Sequence, residues 1–92
     1  ETHEKFSAFY ERVYEDGHLS KKLKKGLMGL ACALIAKCPW CIRSCVRDGI
    51  KEGVTNEEIT EAINVAMVMS AGACWAHAGI SMETAEKFGK KE

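Results

Sequence analysis

The sequence predicts an all-α fold, and three observations predict it. Large apolar residues recur at helical spacing along the chain, no run alternates apolar and polar residues over a useful strand length, and helix start and stop residues separate the periodic stretches. About five helices in one domain covering residues 1–92 follow from this pattern.

Phe6, Phe9, Tyr10, Val13 and Tyr14 fall at i, i+3, i+4, i+7 and i+8, which puts five large apolar groups on one face of a first helix, with Gly17 as a stop. Ser20 is a cap for a second helix, whose Leu23, Leu27, Leu30, Ala31, Leu34 and Ile35 keep the period until Pro39. Lys21, Lys22, Lys24 and Lys25 crowd its first turns, where the helix dipole disfavours cations, so a solvated charged face is expected. Pro39 suits the first turn of a third helix through Cys41, Ile42, Cys45, Val46 and Ile50 to Gly53. Thr55, Asn56, Glu57 and Glu58 form a capping box that opens a fourth helix through Ile59, Ile63 and Met67. Ser70, Ala71, Gly72 and Ala73 are all small and mark a bend or a close crossing. Trp75, His77 and Ile80 continue the helical pattern, and residues 81–88 give a last amphipathic stretch before a charged tail of Lys90, Lys91 and Glu92.

Composition narrows the function. With 47% hydrophobic and 28% charged residues and a single proline, the chain is neither disordered nor collagen-like. Thirteen basic residues balance thirteen acidic ones, so no overall field draws it to nucleic acid or to an anionic membrane. The apolar stretches at residues 27–36 and 62–73 fall short of the roughly 20 residues that span a bilayer, so no transmembrane helix is expected. No secretory leader pattern opens the chain, which points to a cytoplasmic placement.

A chain of 92 residues makes a small core and benefits from disulfides, a metal or a partner subunit. Ile63, Val65, Ala66, Met67, Val68 and Met69 cover every side of a helix, which calls either for a homo-oligomeric interface or for a central helix wrapped by its neighbours. Five cysteines is an odd number, and Cys38, Cys41 and Cys45 crowd together, so clustering points to chemistry rather than to a disulfide framework.

Cys38-Pro39-Trp40-Cys41 is a Cys-x-x-Cys at a helix start, where unpaired backbone N–H groups favour thiolate over thiol. Thiolate is what disulfide exchange or peroxide reduction needs. Cys45 lies on the same helical stripe, as a third redox sulfur or a small buried hydrophobe. A thioredoxin fold would need a strand feeding the motif, and none is present. The rival is a Cys3His metal site combining Cys38 and Cys41 with Cys74 and His77. His77 is otherwise a hydrogen-bonded packing residue or a proton carrier, Cys32 and Cys74 read as core, and His3 and His18 as surface.

Lys25 through Leu30 (Lys-Gly-Leu-Met-Gly-Leu), followed by Lys37-Cys38-Pro39-Trp40-Cys41-Ile42-Arg43, a glycine-ended helix, the Thr55 cap and a small-residue helix, resembles the carboxymuconolactone decarboxylase/AhpD-like family over about residues 20–88. The Cys-x-x-Cys resembles the alkylhydroperoxidase-type members. The resemblance implies an all-α trimer or hexamer in which Cys41 attacks peroxide and Cys38, the more exposed, resolves it and takes electrons from a dithiol or thioredoxin-like donor. The family pattern also carries a glutamate and a histidine that relay protons, at positions held here by Gly26 and Cys45. Glycine moves no proton and a thiol is a poor base at neutral pH, so the residues favour thiol–disulfide exchange over peroxide reduction by that route. The function expected is a redox-active Cys38/Cys41 pair reducing a small disulfide or hydroperoxide, with no organic cofactor; a metal-binding module and a catalytically silent scaffold are the alternatives.

Overall fold

Proline and glycine divide the chain near the places the sequence suggests. In the computed structural model, which describes residues 1–89, α1 runs Thr2–Val13, a π-helical segment Lys22–Met28 passes directly into α2 (Gly29–Ala36), α3 runs Pro39–Lys51 and α4 runs Asn56–Gly89. No strand occurs among the described residues. The Lys90 to Glu92 tail lies outside them.

Local chemistry explains the boundaries. The Ser20 Oγ accepts a hydrogen bond from the Leu23 N–H at 3.2 Å, the cap its sequence position suggests. The Thr55–Glu58 capping box closes in both directions, the Thr55 N–H donating to Glu58 Oε1 at 2.9 Å and the Glu58 N–H to Thr55 Oγ1 at 3.1 Å. Lys22 adds an ion pair to Glu58 at 3.5 Å, tying the π segment to the start of α4. Gly53, with φ 95°, takes the left-handed conformation that lets the chain leave α3.

The core sits where the π segment, α2, α3 and the first three turns of α4 meet. Leu30, Cys45 and Ala62 form its centre, with Leu27, Leu34, Ile42, Val46 and Ile59 packed around them. Gly26 and Gly49 touch across the helix crossing, and Val54 covers the contact.

Several expectations change. α4 is one continuous helix of 34 residues rather than two shorter ones, and with the π segment the described residues form five helical elements, in keeping with the all-α fold expected. Alanine is the best helix former, and a lone Gly72 costs only about 1 kcal/mol, too little to break so long a helix. No close crossing forms there, since nothing lies within 4 Å of a Cβ placed on Gly72. As one helix, α4 is long and apolar enough to cross a membrane by length and composition, with only 6% of its most apolar window buried. Cys74 is exposed, and so is Cys32, because each faces away from this small core. Lys25 is 3% exposed, against the solvated face expected of its lysine run.

The apolar stripe of α1 is not buried in this chain: Phe6 and Phe9 remain over 60% exposed. The same holds for α4 beyond Ala66, where Val68 is 68% and Trp75 84% exposed. Neighbouring helices of the same chain therefore do not wrap α4 beyond Ala66. A radius of gyration of 18.6 Å against about 12 Å for a compact domain of this length reflects both projecting helices.

Candidate active site

Lys37 sets the site by closing α2 in the left-handed conformation (φ 56°, ψ 50°). The turn is locked by the Cys38 N–H donating to the Ala33 carbonyl at 3.1 Å, the six-to-one bond of a Schellman closure. That turn delivers Cys38, in extended conformation, as the N-cap of α3, with Pro39 in the first turn where no N–H is needed. The Cys41 N–H donates to Cys38 Sγ at 3.3 Å.

Cys38 and Cys41 are joined as a disulfide, with Cα atoms 5.2 Å apart. No acidic residue stands in the first turn of α3, so the helix dipole acts there unopposed by a local carboxylate. Cys38 is half-buried and Cys41 exposed, the reverse of the exposure order that the resemblance implies. Trp40, 80% exposed, stands between them, with the Arg43 guanidinium 5.8 Å from its ring centre.

The pair opens on a cavity of about 890 Å³ between the end of α1, the π segment with α2, and the start of α3. Cys45 also lines it, buried within α3, so the structure brings Cys38, Cys41 and Cys45 to one space. Burial pushes the Cys45 thiol up, while the Lys25 charge acts in the opposite direction. A raised thiol is a poor replacement for an imidazole base at neutral pH.

Lys25, which the sequence groups with a solvated lysine run, is a buried residue of the site. Its ammonium bonds the Tyr10 hydroxyl, lies 3.8 Å from Asp48 Oδ2, and sits 4.5 Å and 4.7 Å from the ring centres of Tyr10 and Tyr14. Burial acts to lower its pKa, but the hydrogen bond to Tyr10 and the fields of Tyr10, Cys45 and Tyr14 carry it above the ordinary lysine value. A fixed positive charge therefore stands in the cavity wall one residue from Gly26. Asp48 is held below the ordinary carboxylate range: burial opposes ionisation, but its bond to Arg47 and the charges of Arg47, Lys25 and Lys51 outweigh it. Nothing in the sequence separates Lys25 from the three lysines around it. Only the α1 tyrosines and the α3 aspartate, brought together by folding, distinguish it.

His77 lies on the projecting half of α4, where its Nδ1 is 2.8 Å from the Ala73 carbonyl of its own helix, and it does not line the cavity. Among the described residues no group of three or more histidine, cysteine or acidic side chains is placed to hold a metal. The combination of Cys38 and Cys41 with Cys74 and His77 is therefore not assembled in this chain.

The carboxymuconolactone decarboxylase family model matches residues 1–80, which takes in α1 as well as the cysteine motif. The chain belongs to that family. Within the carboxymuconolactone decarboxylase family, the fold is similar to the crystal structure of a Thermotoga maritima family protein described with a suggested part in the antioxidative response. The two share a TM-score of 0.71 and 30% identity, over 95% of this chain and 89% of that one. A Paracoccus denitrificans protein, described as uncharacterized protein 4 in the cox locus, is 42% identical over 83 residues, covering 90% of this chain and 74% of its own length.

Proposed function

We propose that this protein is a thiol–disulfide oxidoreductase whose Cys38/Cys41 pair cycles between dithiol and disulfide. The observation that carries this is the pair itself, bonded at the N-terminus of α3 and opening on a cavity. In the reduced state the Cys38 sulfur, at the N-cap, is the one best placed to be thiolate. It attacks one sulfur of a substrate disulfide, forming a mixed disulfide and expelling the first thiolate. Cys41 then gives up its proton and attacks Cys38 Sγ, releasing the second thiol and restoring the protein disulfide. A dithiol donor reduces that disulfide and is itself oxidised to a disulfide. The expected test is trapping: Cys41→Ser accumulates a mixed disulfide on Cys38, Cys38→Ser accumulates none, and both lose turnover with a dithiol donor. Turnover unchanged in both variants contradicts the proposal.

Hydroperoxide reduction is the second activity, supported by the family and by the antioxidative description of the Thermotoga relative. There Cys41 would take the peroxide oxygen as a sulfenic acid, releasing alcohol or water, and Cys38 would condense with it to give the disulfide and water. Gly26 and Cys45 supply no base to activate Cys41, so this reaction is expected to be the slower of the two. Cys45, buried in the wall of the same cavity, is the third thiol open to exchange with the pair in this proposal, and His77, outside that cavity, can serve only from another subunit of an assembly.

The working unit in this proposal is a homo-oligomer, a trimer or hexamer. The exposed apolar faces of α1 and of α4 beyond Ala66 support it, as does an apolar groove of about 670 Å³ between α2 and α4 that includes Ile35, Val65 and Met69. A dithiol-driven cycle suits a reducing compartment, which supports a cytoplasmic setting for this activity.

A further inference from the structure

The charged residues that line the cavity beside the cysteine pair are all of one sign. Arg12, Lys24 and Lys25 line it, and no aspartate or glutamate does, in a chain whose acidic and basic residues are equal in number. The rest of the wall, including Leu19, Met28 and Trp40, is mainly apolar.

The three cations differ in how far they are already satisfied. Lys24 Nζ donates to the Val13 carbonyl at 3.0 Å and the Glu15 carbonyl at 2.8 Å, uncharged acceptors at the end of α1 that orient the ammonium and offset only part of its charge. Lys25 is held by the Tyr10 hydroxyl and faces Asp48 only at 3.8 Å. Arg12 lies 3.8 Å from Glu15, an open pair that solvent screens. With the two carboxylates outside the lining counted, one positive charge remains in excess over an apolar wall, where low local polarity strengthens its field.

We propose that the cavity selects disulfides that combine an apolar body with a carboxylate or similar anionic group, an inference that rests on the oxidoreductase function above. The anion lies toward Lys24 and Arg12, the apolar part along Leu19, Met28 and Trp40, and the scissile S–S bond at Cys38. Reaction at the substrate sulfur consumes one disulfide and the Cys38/Cys41 dithiol and yields two substrate thiols and the protein disulfide, so electrons and protons balance.

The test uses the full-length protein reduced anaerobically and mixed rapidly with three small disulfides of like size: dithiodipropionate (anionic), hydroxyethyl disulfide (neutral) and cystamine (cationic). Trp40 fluorescence follows the reaction, and each rate is divided by that of the same disulfide with free mercaptoethanol. At low salt the anionic probe is expected to lead the neutral one by about tenfold, with the cationic probe slowest, and the lead is expected to shrink to about twofold near 0.5 M salt. Arg12→Gln, at an exposed position that leaves the Lys24 contacts in place, is expected to lower the anionic-to-neutral ratio by about threefold. Equal normalised rates for all three probes, or a lead by the cationic one, overturn the anion preference while the redox function stands. If no probe oxidises the reduced pair, the oxidoreductase function fails and the inference fails with it.

Discussion

Gly26 and Gly49 meet backbone to backbone: a Cβ on Gly26 would stand 3.0 Å from Gly49 Cα and 2.6 Å from Val54 Cγ2. Any side chain at position 26 must push α3 or Val54 aside. The glycine at the family's glutamate position is therefore built into the helix crossing, and the relay is not restored by one substitution. Gly26→Ala is expected to lose about 1–3 kcal/mol from overpacking, partly offset by about 1 kcal/mol of helix propensity. Gly26→Glu is expected to lose more and to gain no peroxidase activity. Thermal melting checks this, at about 4–8 °C per kcal/mol, and an unchanged Gly26→Glu midpoint would contradict the tight crossing.

Sulfur reactivity should follow position along α3. Cys38 caps the helix, whereas burial raises the Cys45 thiol. In the reduced protein at pH 7, iodoacetamide is expected to label Cys38 first and Cys45 last, with rates about a hundredfold apart. Mass mapping of a labelling time course measures this. Labelling of Cys45 ahead of Cys38 would overturn the assignment of the attacking thiolate.

Asp48 links stability to acid pH. Its folded pKa lies below the ordinary value of 3.8, so its contribution is complete above that value and disappears as pH falls through the folded one. Asp48→Asn is expected to lower stability at neutral pH by up to about 1 kcal/mol, since the pair is partly solvent-screened. The difference from the parent should be constant above pH 3.8 and shrink progressively as pH falls below it in urea titrations across pH. A difference that stays the same through the whole acid range would remove the ion pair from the account.

The projecting helices give an assembly prediction. The native mass by sedimentation is expected to be a multiple of the 10.2 kDa chain, and Val68→Glu with Trp75→Glu, on the exposed half of α4, is expected to shift it toward the monomer. A parent protein that sediments as a 10.2 kDa monomer at micromolar concentration would contradict the proposed oligomer.

What the sequence reveals and what it hides divide along physical lines. Local signals carried through: Ser20, Pro39 and the Thr55–Glu58 box act within a turn of themselves, so the caps and the placement of Cys38 at the start of α3 follow from residue order alone. Tertiary placement did not. Periodicity groups Phe6, Phe9 and Tyr10 on a face, but it does not say whether this chain covers that face. Small side chains at residues 70–73 suit a bend, a crossing or a straight helix equally, and the alanines favour the last. Lys25 is buried because Tyr10, Tyr14 and Asp48 arrive from two other helices, and no spacing along the chain records that meeting.

The central claim is tested most directly by an anaerobic redox titration in which free thiols are counted by mass after alkylation, for the parent and for Cys45→Ser. The expected result is the reversible loss of two thiols between about −200 and −320 mV, with the bridge between Cys38 and Cys41 in both proteins. All five thiols remaining reduced across that range, or a bridge that excludes either Cys38 or Cys41, would contradict it.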